Sequence, residues 1–142
     1  MSGILAILEH GPAGWHKMSF EALAGALELG RATDAAVTAC VPGHGVAGAA
    51  GEAAASGAAA VIAVEHEALA VYAADGYILA LEQLIGELQP EWVVLPHTYQ
   101  TRDFAPALAA RFGRSLMADC TGFSVEGGAP VFERQLFQGK LS

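Results

Sequence analysis

The sequence is poor in basic residues. It carries 7 lysines and arginines against 15 aspartates and glutamates, which gives a formal net charge of −8 at pH 7, and only 15% of its residues are charged. A protein whose main partner is nucleic acid or an anionic membrane surface needs a basic footprint, because both partners are polyanions. The composition therefore argues against both as partners of this chain.

Cysteines and long apolar runs are also scarce. The two cysteines, Cys40 and Cys120, lie in apolar, strand-like segments, which favours buried reduced thiols over a disulfide framework and indicates a reducing compartment. No apolar run approaches the roughly 20 residues that cross a bilayer. Strand-like sequence begins at Ile4 and leaves no room for a cleavable signal. We therefore expect a cytoplasmic protein without membrane insertion.

Several enzyme motifs are missing. The sequence has no G-x-S-x-G elbow, no C-x-x-C pair and no G-x-x-x-x-G-K-[ST] phosphate loop. The histidines form no i, i+4 helical pair, and neither cysteine lies at ligand spacing from a histidine, so we expect no metal site. Four histidines, His10, His44, His66 and His97, do fall at predicted strand ends, but loops converge there in any parallel sheet. We expect no catalytic site in this chain.

The sequence does contain a regular alternation of strands and helices. Its 142 residues, 54% of them hydrophobic, predict one globular domain. Strands that alternate with helices of about 10 to 15 residues imply parallel βαβ units with right-handed crossovers. The sequence therefore predicts a three-layer α/β/α sandwich with a mostly parallel sheet. The predicted strands are residues 4–8, 36–41, 60–64 and 92–95, and the predicted helices are residues 19–30, 47–56, 75–89 and 103–113.

Helix boundaries are predicted from capping residues. Ser19 is expected to cap the first helix and Gly30 to follow its end, and Gly57 is expected to end the second helix. Asp103 is expected to cap the fourth helix, with Pro106 in its first turn and Gly113 at its C′ position. Pro42 and Gly43 are expected to end the second strand.

Beyond the fourth predicted helix the sequence looks extended. Residues 115–120, 123–125 and 131–137 have strand character, and Gly127 and Gly128 suggest a turn between the last two, so we expect a terminal strand pair. The sequence then stops without the helix or polar tail that would close a domain. We therefore expect these residues, 1–142, to be one domain of a longer polypeptide.

The densest cluster of polar side chains follows the strand at residues 92–95. Open α/β sheets bind ligands and partners outside the carboxyl ends of their strands. We therefore hypothesise that this cluster contacts a partner. The alternative is that its side chains only satisfy loop backbone, cap a helix, or form a local salt bridge. The residues of the hypothesis are His97, Thr98, Arg102 and Asp103.

The same segment carries a resemblance to a known family. HTYQTRDFAPALAARFGRSLMADCTGF, residues 97–123, resembles T-x-x-G-R-D-x-A-P-R-L-A-A-R-L-G-…-D-V-T-G in the amino-terminal domain of electron-transfer flavoprotein α subunits. Thr101 stands where the family has Gly, and Ala107 where it usually has Arg, so roles of those two positions are not carried over. Within residues 97–123 the positions that match the family motif are Arg102, Asp103, Pro106, Asp119 and Gly122. Four other stretches are similar to the same domain: ILAILEH, GHGV, VIAVEHEALAVY and PVFERQLFQGK.

The resemblance implies a fold and a function. The fold is a layered α/β domain of the adenine-nucleotide-hydrolase type. Electron-transfer flavoproteins are heterodimers that take electrons from flavin-dependent dehydrogenases and pass them to a downstream acceptor, and the carboxy-terminal domain of the α subunit holds FAD. The resemblance thus implies a scaffold domain that packs against the β subunit, contains no FAD-binding segment itself, and acts as a component of an electron carrier.

A glycine-rich turn leaves an alternative open. Gly43, Gly45 and Gly48 form a G-x-G-x-x-G pattern between a predicted strand and helix, with Glu65 and Glu67 about 20 residues further on, as in dinucleotide-binding fingerprints. The pattern is weak, because it follows the second strand and because 17 glycines in 142 residues produce such triplets by chance. The alternative function is a stand-alone nucleotide-binding module that resembles universal stress proteins.

Overall fold

The structure is a computed structural model that describes residues 3–114 and 122–124. Two short 3₁₀ turns, Ala54–Ser56 and Glu67–Leu69, accompany the regular elements. The regular elements are, in chain order, β1 (Ile4–Ile7), β2 (His10–Gly11), β3 (Gly14–Trp15), α1 (Met18–Thr33), β4 (Val37–Gly43), α2 (Ala47–Ala53), β5 (Ala60–Glu65), α3 (Ala74–Leu88), β6 (Trp92–Val94), α4 (Tyr99–Arg111) and β7 (Gly122–Ser124).

A five-stranded sheet forms the middle layer, in the order β5-β4-β1-β6-β7. β1 pairs in parallel with β4 and β6, and β4 pairs in parallel with β5. β7 is antiparallel to β6. The mostly parallel sheet confirms the predicted fold class. The segment predicted to be extended at residues 123–125 overlaps β7, while residues 115–120 and 131–137, and with them the predicted terminal strand pair, lie outside the described residues.

Helices cover both faces of the sheet. All four residues of β1 are buried, and their side chains alternate between two apolar clusters, as neighbouring residues of a strand must. Ile4 and Ala6 pack in the cluster that contains residues of α1 and α2. Leu5 and Ile7 pack in the cluster that contains residues of α3 and α4. The result is the three-layer α/β/α sandwich, with β1 at its centre.

The predicted boundaries of the first helix are wrong at both ends. α1 begins at Met18, so Ser19 lies inside the helix, where it is buried and its hydroxyl accepts a hydrogen bond from the Glu9 amide at 2.7 Å. Gly30 also lies inside the helix, which ends at Thr33 and is followed by Asp34 in the left-handed conformation. Gly30 is needed for close packing, because a Cβ there would lie 2.7 Å from the Ala35 carbonyl oxygen.

β4 runs two residues further than predicted. Pro42 and Gly43, expected to end the strand, are its last two residues. β4 pairs with β1 only as far as Cys40, and beyond that point β5 is its one partner in the sheet. Proline is tolerated where a strand has a partner on one side only, because its nitrogen has no hydrogen to donate. The sequence does not show that the pairing of β4 with β1 ends at Cys40, so it does not show that the strand can continue through Pro42.

The second α-helix ends at Ala53, three residues earlier than predicted, and a 3₁₀ turn continues to Ser56. Gly57 follows the 3₁₀ turn after α2 and has φ of 104°, in the left-handed region that glycine adopts without strain. The segment predicted as a loop after β1 contains a small antiparallel hairpin of β2 and β3, in which the ring centroids of His10 and Trp15 lie 4.9 Å apart. Within the described part of the chain, no helix is long and apolar enough to span a membrane.

Candidate functional site

The carboxyl ends of the parallel strands bring the candidate residues to one edge of the sheet. Glu9 lies two residues after the end of β1, His44 directly follows β4, and His97 and Thr98 come shortly after the end of β6. Because these strands are parallel neighbours, the residues after them meet at the same edge. The predicted placement of residues 97–103 at the carboxyl end of a strand is confirmed.

Thr98, not Asp103, caps the fourth helix. α4 begins at Tyr99, and the Thr98 hydroxyl oxygen accepts a hydrogen bond from the Thr101 amide at 3.1 Å. The Thr98 hydroxyl also lies 2.7 Å from Oε1 of Glu9, to which it donates. Both threonine and aspartate are suitable capping residues. Thr98 is buried and bonded to Glu9, and this long-range contact holds it at the cap position in place of Asp103. Asp103 thus lies within the helix.

The same shift changes the setting of the helix proline. Pro106, expected in the first turn, lies in the interior of α4. A proline there removes one hydrogen bond of the helix ladder. The end of the helix agrees with the prediction: Gly113 has φ of 69°, its amide donates to Ala110 O, and the Arg114 amide donates to Ala109 O.

Three exposed side chains at the start of α4 form a stacked group that we call the Arg102 cluster, consisting of His97, Tyr99 and Arg102. The Arg102 guanidinium donates to Nε2 of His97 at 2.6 Å and lies 5.6 Å from the centre of the Tyr99 ring. Tyr99 is 88% exposed. Among the described residues, no carboxylate forms a salt bridge with Arg102. The cluster therefore presents an aromatic surface and a positive charge without a carboxylate partner in the described part of the chain.

Asp103 points to a different partner. Its Oδ2 accepts a hydrogen bond from the Tyr72 hydroxyl at 2.7 Å, and the same hydroxyl lies 3.4 Å from the Gln100 carbonyl oxygen. Burial of the Tyr72 phenol raises its pKa above the ordinary value, and the Asp103 carboxylate beside it raises that pKa further. Asp103 thus holds the segment before α3 against α4.

The structure does not gather all four predicted residues into one surface. His97 and Arg102 are in contact and exposed, Thr98 is buried beneath them, and Asp103 is engaged with Tyr72. Two partners at this edge were not predicted. Tyr72 comes from a distant segment, and the signal for Glu9 is a carboxylate directly after a fully apolar strand. Tyr99 was not among the predicted site residues.

The glycine-rich turn is occupied by a carboxylate of the chain itself. The amides of Gly45 and Val46 donate to the two carboxylate oxygens of Glu65, at 2.6 Å and 2.9 Å. These two hydrogen bonds lower the pKa of Glu65, and His44, 3.0 Å away, lowers it further. Amides that would hold a phosphate group in a nucleotide site are therefore already bonded.

The remaining titratable candidates do not form a site in the described residues. No group of three histidine, cysteine or carboxylate side chains there has the geometry to hold a metal ion. His66 caps the following 3₁₀ turn by accepting from the Ala68 amide at 2.9 Å. Cys40 is a fully buried free thiol, and burial raises its pKa to about 12, so its reactive thiolate form is strongly disfavoured.

The fold and the site define a class of protein: an α/β domain with a mostly parallel sheet, whose exposed polar cluster lies at the carboxyl ends of the strands. Comparison with known proteins gives the family. The chain belongs to the electron transfer flavoprotein family, because the profile described as electron transfer flavoprotein domain matches residues 4–142.

Individual relatives agree with this assignment. The chain is 34% identical over 140 residues to a protein of Syntrophomonas wolfei named electron transfer flavoprotein subunit alpha, covering 99% of this chain and 43% of the relative. Proteins of the same name from Bacillus subtilis and Clostridium acetobutylicum are 38% identical over 84 residues and 30% identical over 141 residues. Those matches cover 59% and 98% of this chain, and 26% and 42% of the relatives.

The chain spans less than half the length of these curated relatives. The matches support an amino-terminal domain of an electron transfer flavoprotein α subunit, which confirms the resemblance seen in the sequence. The universal-stress-protein alternative is not favoured.

Proposed function

We propose that this chain serves as the amino-terminal scaffold domain of an electron-transfer flavoprotein α subunit. The observation that carries the proposal is the family match over residues 4–142, together with 34% identity over 99% of the chain to a protein named as that subunit. FAD is held in the complete complex by a domain outside these 142 residues. The chain is accordingly a component of an electron carrier rather than an enzyme by itself.

The partners follow from this role. The domain packs against the β subunit of the heterodimer, and through the assembled complex it serves flavin-dependent dehydrogenases as electron donors and a downstream acceptor. The net charge of −8 fits a protein partner better than nucleic acid. The complex operates in the cytoplasm, where the buried thiol of Cys40 remains reduced.

Within this role, the Arg102 cluster is the surface that contacts the β subunit or the flavin domain. Tyr and Arg are the side chains that most often supply a large share of the binding energy at protein interfaces. Tyr99 and Arg102 are exposed, stacked and oriented by His97. Thr98 and Asp103 contribute indirectly, because they fix the start of α4 and its contact with Tyr72.

The experiment uses the complete α subunit purified with its β subunit. Arg102→Ala and Tyr99→Ala, combined, are expected to weaken the α–β association by about tenfold, since truncating a central interface pair costs at least 1 to 2 kcal/mol. The dissociation constant is measured by sedimentation, and FAD content by flavin absorbance. Arg111→Ala is the matched control, because Arg111 is an arginine at the other end of the same helix, paired with Glu82 at 2.7 Å.

The outcomes separate the two levels of the proposal. A complex that assembles unchanged with both residues replaced overturns the role of the Arg102 cluster and leaves the scaffold role standing. An α subunit that binds FAD and its β subunit normally after residues 1–142 are deleted overturns the scaffold role itself.

A further inference from the structure

A small cavity lies where the strand order of the sheet reverses. After β1 the chain crosses to β4 and β5 on one side, and it returns to β6 on the other side of β1. Open α/β sheets bind ligands in the crevice outside the carboxyl ends of the strands at such a point. The cavity has a volume of about 10 Å³, and residues that follow β1 and β6 line it together with residues of α3 and α4. This is about the smallest volume that holds one water molecule.

Polar side chains contribute to the wall of this cavity. Tyr77 of α3 lines it and is only 8% exposed to solvent. Glu9, which comes after β1, and Thr101 of α4 line it as well, and Thr101 is buried. A small apolar cavity stays dry, whereas a cavity with roughly two to four hydrogen-bonding groups around it retains water. The wall therefore has the chemistry of a hydrated cavity.

These polar groups have hydrogen-bonding capacity to spare. The Tyr77 hydroxyl makes no hydrogen bond to another residue in the part of the chain that the structure describes. Oε1 of Glu9 accepts from the Thr98 hydroxyl at 2.7 Å, while Oε2 has no such partner among the described residues. The Thr98 and Thr101 hydroxyls lie 3.1 Å apart, and whichever of them donates, the Thr101 oxygen keeps a lone pair. Buried polar groups in folded proteins are nearly always bonded to protein or to ordered water.

Tyr77 and Glu9 are near each other without a direct hydrogen bond. Burial raises the pKa of the Tyr77 phenol, and the charge of Glu9 raises it further, so the carboxylate acts on this hydroxyl. No hydrogen bond joins the two side chains directly. Polar groups that face each other across more than about 3.5 Å are often bridged by water. The cavity that both residues line provides the space for such a bridge.

We propose that this cavity is a binding site for one ordered water molecule. The water accepts a hydrogen bond from the Tyr77 hydroxyl and donates its two hydrogens to Oε2 of Glu9 and Oγ1 of Thr101. Glu9 already connects two helices, because its backbone binds Ser19 on α1 and its side chain binds Thr98 at the start of α4. The water adds α3 to these elements. The proposal does not depend on the proposed function, since it rests on the cavity and its wall alone.

The first test is a crystal structure of the full-length protein at a resolution that shows ordered water. We expect a density peak at about 2.5 to 3.0 Å from both the Tyr77 hydroxyl and Oε2 of Glu9. Tyr77→Phe keeps the ring and removes the donor, so the peak is expected to disappear. Tyr72→Phe is the matched control, because Tyr72 is a neighbouring tyrosine that bonds directly to Asp103 and does not line the cavity. The peak is expected to remain in that variant.

The second test is made in solution, with circular dichroism to confirm that each variant folds. Oxygen-17 magnetic relaxation dispersion detects water molecules that stay bound for longer than the protein takes to tumble. The contribution of these long-lived waters is expected to decrease in Tyr77→Phe and to stay unchanged in Tyr72→Phe. If Tyr77→Phe does not fold, the density of the parent protein decides the question.

Four results overturn the proposal. The first is a parent structure that shows ordered water elsewhere in its interior and no peak in this cavity. The second is a direct hydrogen bond between Tyr77 and Glu9, which leaves nothing to bridge. The third is a peak that Tyr77→Phe leaves in place with the same contact to Glu9, or long-lived water that this variant does not reduce. The fourth is a peak with several oxygen contacts shorter than about 2.5 Å, because the occupant is then a metal cation.

Discussion

The hydroxyl of Thr98 lies 2.7 Å from Oε1 of Glu9, although 89 positions separate the two residues in the sequence. This hydrogen bond ties the end of β1 to the start of α4. The backbone of Glu9 is in turn bonded to the hydroxyl of Ser19 on α1, at 2.7 Å and 3.1 Å. Glu9 thus connects helices from both faces of the sheet at the edge that carries the Arg102 cluster.

Thr98→Ala is expected to lower the free energy of unfolding by about 2 kcal/mol, because it removes both the cap of α4 and the partner of a half-buried carboxylate. Thr98→Ser keeps the hydroxyl and should lose less than half as much. Urea unfolding followed by circular dichroism measures both. Equal losses in the two variants would show that the threonine methyl group, not the hydrogen bonds, carries the effect.

Two glycines of the same helix are expected to respond in opposite directions. Gly25→Ala should stabilise the chain by up to about 1 kcal/mol, since alanine favours helix and a Cβ at this position meets no atom within 4 Å. Gly30→Ala should destabilise it, since its Cβ would lie 2.7 Å from the Ala35 carbonyl oxygen and 3.0 Å from Val37. Thermal unfolding of both variants tests the contrast, and a gain in stability for Gly30→Ala would contradict it.

Glu65 gives the glycine-rich turn a dependence on pH. Hydrogen bonds from the Gly45 and Val46 amides, and then His44, lower the pKa of this carboxyl below its usual value of 4.5. A lowered pKa means that the bonds stabilise the fold above about pH 4.5 and that this contribution is lost as pH falls through the folded-state value. Glu65→Gln should therefore be less stable than the parent chain at pH 7, and the difference should shrink in acid. The control is Glu87→Gln, and a difference independent of pH would refute the role of the charge.

Tyr72 gives a dependence of the opposite kind. Burial and then Asp103 raise the pKa of its phenol above the usual value of 10, so its contribution to stability is complete below pH 10 and is lost as pH rises through the folded-state value. Asp103→Asn should lower the pKa of Tyr72 without returning it to 10, because burial is the larger cause. Spectrophotometric titration compares the parent, Asp103→Asn and Tyr72→Phe. A titration curve that Asp103→Asn leaves unchanged would contradict the effect of the carboxylate.

The strands and layers could be predicted because their signal is local. Each buried strand is a short apolar run, and β1 and β6, buried on both faces, differ from their predicted ranges by one residue at the end. Helix ends were less predictable. Ser19 and Asp103 are good caps by residue type, but α1 begins before Ser19, and α4 is capped by Thr98. Glu9 binds both Ser19 and Thr98 across the fold.

The candidate site was predictable in position but not in detail. A polar run after a buried strand indicated the correct edge of the sheet, and the family motif drew attention to Arg102 and Asp103. The partners of those residues could not be read from the sequence. Arg102 contacts a neighbour five positions away, whereas Asp103 binds Tyr72, 31 positions away, which only the packing of two helices brings near.

The central position of β1 has a consequence for how the chain is made. β1 is synthesised before both of its neighbours in the sheet, which are β4, beginning at Val37, and β6, beginning at Trp92. Until Trp92 has been synthesised, one side of the fully buried β1 has no strand partner. During synthesis β1 is therefore paired with β4 alone until β6 is made. The hydrogen bond from Thr98 to Glu9 is one of the contacts that can form only after that point.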